Sequence, residues 1–205
     1  MSKVSEVYAA TSVEEQERTY DAWANEYEKD LCAMGYRMPM MIASVFASMV
    51  DLDVGPILDV GCGGGIQSEA LWGLGYKPIV GMDLSRGMLE VAQQKGIYHE
   101  LVRAKLGEPL DFPDDHFAAL LSSGTFTSGH APAESFRELV RICKPGAKIM
   151  FSLRSDDGRD RSFEQVMSAL VEEGEWSHTF QTPDFYSMPY GEPDVTHRIQ
   201  VYTVI

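Results

Sequence analysis

Two aspartates, each closing a short apolar run, flank a cluster of glycines, and this part of the 205-residue chain is equipped for chemistry. The first run, Pro56-Ile57-Leu58-Asp59-Val60, breaks into Gly61-Cys62-Gly63-Gly64-Gly65 before Ile66. The second reads Val80-Gly81-Met82-Asp83 and continues into Leu84-Ser85. A buried strand that ends in a glycine turn and reopens as a helix holds a nucleotide-like ligand at the carboxyl end of a sheet. Glycine suits the turn because it accepts positive φ and lets the backbone approach a ligand closely. Asp83 follows at roughly the 20-residue offset where a carboxylate meets a ribose. There it can accept from both hydroxyls of the diol, and such charge-assisted bonds are stronger than neutral ones.

The elements that must position these residues read as an alternation. Ser12-Val13-Glu14-Glu15 is a capping box, and the helix behind it carries Tyr20, Trp23, Tyr27 and Leu31 on one face. A second helix follows Pro39, and residues 1 to about 11 read as a loose tail. Strand 1 ends at the glycine turn, and a helix then runs from Ile66 to Gly73 or Gly75. Strand 2 is Pro78–Asp83, and Ser85 caps the next helix, which ends near Gly96. Strand 3 lies near His99–Ala104 and strand 4 at Phe117–Ser122. Pro132 stands at a first-turn position of a helix with Phe136, Leu139, Val140 and Cys143 inward, stopped by Lys144-Pro145-Gly146. Strand 5 is Lys148–Leu153, and Ser162-Phe163-Glu164-Gln165 is a second capping box. Trp176–Phe180 and His197–Val204 are the last strands, joined by a long loop without helical pattern. The expected fold class is α/β, a three-layer Rossmann-like sheet, mostly parallel with an antiparallel last strand and with N-terminal helical additions. Residues 1–50 are expected to lie as helices over the site, and 51–205 to form the main layered domain.

Composition bounds the function. Hydrophobic residues are 44% and charged residues 23%, ordinary for one globular domain. The 31 acidic against 17 basic residues give a net charge of -14, which repels a phosphate backbone and argues against nucleic acid as partner. Cys32, Cys62 and Cys143 have no metal-ligand spacing and form no disulfide framework, so no metal is expected. They fit a reducing compartment. With no bilayer-length apolar run and no secretion signal, a cytoplasmic location away from membranes is expected.

Two ligand classes use such a turn. Dinucleotide enzymes need Gly-x-Gly-x-x-Gly, and here Ile66 occupies the third position. Asp-x-Gly-x-Gly-x-Gly is satisfied by Asp59, Gly61, Gly63 and Gly65. In this the chain resembles the class I S-adenosylmethionine-dependent methyltransferases. Leu84-Ser85-Arg86-Gly87-Met88-Leu89, Leu110-Asp111-Phe112-Pro113-Asp114-Asp115-His116-Phe117 and Lys144-Pro145-Gly146 resemble further segments of that family. Tyr20-Asp21-Ala22-Trp23-Ala24-Asn25-Glu26-Tyr27 and Gly35-Tyr36-Arg37-Met38-Pro39 are similar to the Williams–Beuren-region methyltransferase-like proteins.

The resemblance implies S-adenosylmethionine as cofactor, with S-adenosylhomocysteine as product, and methyl transfer to a small-molecule acceptor. It implies ribose at Asp83, adenine against Met88 beside Leu84, and the cofactor's ammonium at the Gly61 turn. Where the family often carries an acid for the adenine amino group, this chain has Leu106 between Lys105 and Gly107, so backbone groups take that role. Arg37, Tyr20 or Tyr27 suits the cofactor's carboxylate, and Cys62 is a small side chain that fits the turn. In the loop Ser122–His130, Ser123 or Thr125 is a cofactor contact and His130 a candidate general base, a histidine there also being suited to capping the next helix. The aromatic loop of Phe185, Tyr186, Met188 and Tyr190 is placed to roof an acceptor pocket. Two other functions fit the pattern: an NAD(P)-type oxidoreductase, and a non-catalytic cofactor-binding module acting through a protein partner. Oligomeric state is not legible.

Overall fold

The structure is a computed structural model that describes residue 7, residues 12–127 and residues 130–205. Helix α1 (Val13–Ala33) opens on Ser12, whose Oγ accepts from the Glu15 amide at 3.2 Å. Helix α2 (Met38–Met49) has proline in its first turn, where the missing N–H has no intrahelical partner to lose. The alternation then runs β1 (Ile57–Val60), α3 (Ile66–Leu74), β2 (Ile79–Asp83), α4 (Arg86–Lys95), β3 (Glu100–Arg103), β4 (Phe117–Ser122), α5 (Ser135–Arg141) and β5 (Cys143–Arg154). It closes with α6 (Ser162–Glu172), β6 (Trp176–Gln181), β7 (Phe185–Tyr186) and β8 (Thr196–Val204).

The sheet order is β3-β2-β1-β4-β5-β8-β6, with β7 on β8. Strands β1 to β5 pair in parallel, and β8 runs antiparallel to both β5 and β6. The expected mixed sheet is therefore present, with helices on both faces. One face buries Leu58, Phe117, Leu120, Phe136, Phe151 and Trp176 under α5 and α6. The other buries Ile57, Ile79, Leu121 and Met150 under α2 and α3, with Ile42 and Phe46 from α2. A smaller cluster of Trp23, Leu31, Met188 and Val7 fixes α1. Ile57 and Asp59 share a face because strand side chains alternate, so Asp59 points at the first turn of α3.

Four local expectations are corrected. Cys143 belongs to β5, not to a helix: it pairs with Phe117 before the register shifts, and pairing resumes at Ala119–Lys148 beyond a bend at Gly146 (φ +86°). Helix α5 begins at Ser135, whose amide donates to the Pro132 carbonyl, so Pro132 lies in the turn before the helix. Ser162 is not a cap; Asp160 Oδ1 accepts from its amide at 2.9 Å and the α6 cap position is Arg161. Val7, expected in a loose tail, is buried at 3% exposure; the remaining residues up to 11 lie outside those described.

Candidate functional site

A cavity of about 400 Å³ opens at the carboxyl ends of β1 to β4, beneath α1. Its floor is the glycine turn. Gly61 has φ +64°, and a Cβ there would stand 2.2 Å from Thr125 Oγ1, so neither the backbone nor the packing admits a side chain. Gly63 has φ +53° and faces open space, the nearest atom to a notional Cβ being Met88 Sδ at 4.0 Å. Asp83 binds the turn to the end of β2: Oδ2 accepts from the Gly63 amide at 2.8 Å and Oδ1 from the Ser85 amide at 2.9 Å. Burial, with the Asp21 carboxylate adding to it, raises the Asp83 pKa although these amides pull the other way. A carboxylate offers about four acceptor positions, so Asp83 keeps two for a ligand.

Asp59 has a different task. It is fully buried and its oxygens accept from Ser68 Oγ at 2.6 Å, Tyr98 Oη at 2.7 Å and Gln67 Nε2 at 2.9 Å. Burial pushes its pKa up to about 6 despite those donors. It ties β1 to α3 from below and stands outside the cavity wall. Gly65 is likewise beneath the surface, the cap of α3 at φ +93° against the Tyr98 ring. Cys62 is buried at 1% exposure, its thiol pushed well above the usual range by burial. Arg37 is exposed at the start of α2 and its backbone amide donates to Ser187. All four thus stand apart from the cavity that the other expected residues share. Asp59 and Cys62 face inward with the strand and turn, and Arg37 lies beyond the end of α1.

The roof is α1, held at several points. Asp21 Oδ1 accepts from Ser85 Oγ at 2.6 Å and from the Gly87 amide at 2.9 Å. Ser85 Oγ in turn accepts from Met88 N at 3.1 Å, so the cap of α4 is itself gripped by α1. A Cβ on Gly87 would lie 2.9 Å from the Asp21 backbone, which is why the two helices meet there. Glu17 pairs with Arg103 at 2.6 Å and Glu28 with Lys95 at 2.8 Å. Across the mouth, Tyr20 Oη lies 3.0 Å from His130 Nε2, and Thr127 Oγ1 lies 2.9 Å from His130 Nδ1. Thr125, the alternative to Ser123, also lines the cavity. Tyr98 has no cue in the sequence, and Asp21 no role there, although Asp21 stands within the aromatic motif of α1.

Of the remaining expected residues, Tyr20, Tyr27, Gly61, Gly63, Asp83, Leu84, Met88, Lys105, Leu106, Ser123 and His130 all line the cavity. Lys105 Nζ is engaged by Glu108 at 2.8 Å. Ser128 and Gly129 of the expected loop lie outside the described residues. Among the described lining residues the acids are Glu17, Asp83 and Glu108, and the one permanent cation is Lys105.

A family model described as a methyltransferase domain matches residues 58–151. Over 166 residues the chain is 32% identical to methyltransferase-like protein 27 of Homo sapiens, covering 77% of this chain and 66% of that protein. Residues 58–151 thus carry a methyltransferase domain. The chain is also 29% identical to the ubiquinone biosynthesis O-methyltransferase of Alkalilimnicola ehrlichii over 118 residues, 56% of this chain and 47% of that one. It thus spans about two-thirds of the human relative and under half of the bacterial one. In fold it is similar to the TehB-like methyltransferase of Corynebacterium glutamicum, with a TM-score of 0.66 at 17% identity, covering 91% of this chain and 98% of that one. The family's cofactor is S-adenosylmethionine, and the site fits it. Space stands open over Gly63, Asp83 retains acceptor positions for a diol, and the acid-rich wall suits a ligand bearing a sulfonium and an ammonium.

Proposed function

We propose that this methyltransferase transfers the methyl group of S-adenosylmethionine to a small-molecule acceptor. The charge balance of the cavity carries the reading. Its single lysine is already paired with Glu108 and Glu17 with Arg103, so a pyrophosphate finds no unpaired cation among the described wall residues, whereas the Asp83 carboxylate has no cation of its own. This tells against a dinucleotide. S-adenosylmethionine brings a methyl carbon on positively charged sulfur, already activated toward a nucleophile.

The chain's residues then have to bind, orient and exclude water. Asp83 holds the ribose hydroxyls through its remaining acceptor positions. Leu84, Met88 and Leu106 enclose the adenine, with Lys105 at the rim. The Gly61 carbonyl, which accepts from Gln67 Nε2 at 3.3 Å, has a second lone pair for the ammonium. Tyr20 and Tyr27 take the carboxylate, and Ser123 borders the same end. Helix α1 acts as the lid, clamped by Asp21. Alignment of two reactants in this manner is worth roughly 7–11 kcal/mol. For an acceptor that keeps its proton, His130 is the base, its ring oriented by Thr127 and Tyr20.

The small acceptor is supported by the relatives that act in quinone biosynthesis, and a cytoplasmic location by three free cysteines. The test is calorimetric titration with S-adenosylmethionine, S-adenosylhomocysteine, NAD and NADP, followed by transfer of labelled methyl groups into a metabolite extract. Binding of the first two alone is expected. Binding of NAD alone overturns the reading, and cofactor binding without any labelled product leaves the binding-module alternative standing.

A further inference from the structure

Two further cavities follow from the cofactor cavity, each sharing wall residues with the one before it. A constriction of about 50 Å³ shares Tyr20, Tyr27 and Gly124 with that cavity. It shares Thr127 and His197 with a farther chamber of about 260 Å³. Segment 124–127 is the partition: Gly124 and Thr125 face the cofactor side, and Phe126 and Thr127 the farther one. None of the residues assigned to the cofactor lines this farther chamber.

Its polar groups are unequally satisfied. Arg154 Nε donates to both oxygens of Asp156, at 2.9 and 2.8 Å, and Arg159 Nε donates to Glu164 at 2.9 Å. Glu192 is half-buried and its carboxylate has no hydrogen bond or ion pair among the described residues. His197 is 7% exposed; Nδ1 lies 3.0 Å from Ser187 Oγ, and Nε2 has no partner among the described residues. Burial holds His197 down to about 4, so at neutral pH the ring offers a hydrogen-bonding nitrogen and no positive charge. Phe126 and Phe163 supply an apolar wall, with ring centroids 6.0 Å apart.

We infer that this chamber is the acceptor site, and that it takes a small molecule whose protonated amine lies remote from the atom to be methylated. The inference rests on the methyl-transfer reading of the neighbouring cavity. Both arginines already face carboxylates, and the other two carboxylates lining the chamber, Asp160 and Glu192, have no cation within ion-pair distance among the described residues, the Arg154 charge reaching Glu192 only from farther off. A partly desolvated carboxylate without a close partner is costly, and an ammonium removes the cost. The apolar wall holds the body of the acceptor and His197 Nε2 holds a polar group along it. The constriction admits the reacting end past Thr127 toward Tyr20 and His130. The net charge of -14 draws cations to the surface in the same sense.

The experiment is calorimetry on the whole chain saturated with S-adenosylhomocysteine, using tyramine and, as its charge-reversed counterpart, 3-(4-hydroxyphenyl)propionate. Tyramine is expected to bind and the carboxylate to bind about tenfold more weakly or not at all. Glu192→Gln should weaken tyramine binding about tenfold and leave S-adenosylhomocysteine affinity unchanged, which also reports that the variant is folded. Phe163→Leu, which keeps a buried apolar side chain, should weaken tyramine binding and again spare the cofactor product. Preference for the carboxylate, binding of neither probe, or indifference to Glu192→Gln overturns the acceptor assignment. Loss of S-adenosylhomocysteine binding in the native chain would instead sink the methyl-transfer reading beneath it.

Discussion

Asp83 Oδ2 accepts the amide proton of Gly63 at 2.8 Å, so the acid at the end of β2 and the glycine turn after β1 form one unit. That bond explains why the two features appear together. The carboxylate fixes the turn and keeps acceptor positions for the ribose we propose it binds. Asp83→Ala is expected to weaken S-adenosylhomocysteine binding by about 1.5–3 kcal/mol, the range for hydrogen bonds to a charged group. Calorimetry checks this, and unchanged affinity removes the ribose assignment.

Asp59 makes stability depend on pH in an unusual direction. Its pKa in the fold, about 6, lies above the 3.8 of an ordinary aspartate. Between those values the folded state binds the extra proton, so stability is fully present below about 3.8 and falls as pH rises through about 6. About two pKa units correspond to about 3 kcal/mol. Urea unfolding of the native chain and Asp59→Asn from pH 4 to 8 should show a steeper loss in the native chain than in the variant, in which Asp83 and His197 still titrate. A parallel pair of curves would refute the assignment.

Gly61 is constrained twice, by φ +64° and by Thr125 Oγ1 at 2.2 Å from a notional Cβ. Gly61→Ala should cost about 1–3 kcal/mol in overpacking and ~1 kcal/mol in left-handed backbone. Adding Thr125→Ala should recover most of the overpacking part. Denaturant midpoints of the single and double variants decide it; equal midpoints mean the contact is not the cause.

Asp21 joins α1 to the cap of α4 through Ser85 Oγ and Gly87 N. Asp21→Ala should cost about 1 kcal/mol of stability, typical of a lost cap interaction, and should loosen α1 over the cavity. Amide exchange in residues 13–33 should speed up, and exchange in β1 and β4 should not. Uniform acceleration across the protein would count against a lid.

What the chain's own order determined is the frame of the site. Strand, glycine turn, helix and second acid are local signals, because each is set by periodicity, by the φ a glycine permits and by caps within a few residues. These were enough to place β1, β2, the turn and Asp83 at one end of a parallel sheet. The tertiary structure decided which acid lines the cavity. Asp59 and Asp83 look alike along the chain, but strand alternation turns Asp59 under the turn, where Ser68, Gln67 and Tyr98 consume it. It also decided that Asp21 ties α1 to the cap of α4, that Thr125 fills the space over Gly61, and that β5 begins at Cys143 across a register shift. Each of these joins residues far apart in the chain, and such partners are chosen by packing between elements, which no spacing within a single element encodes.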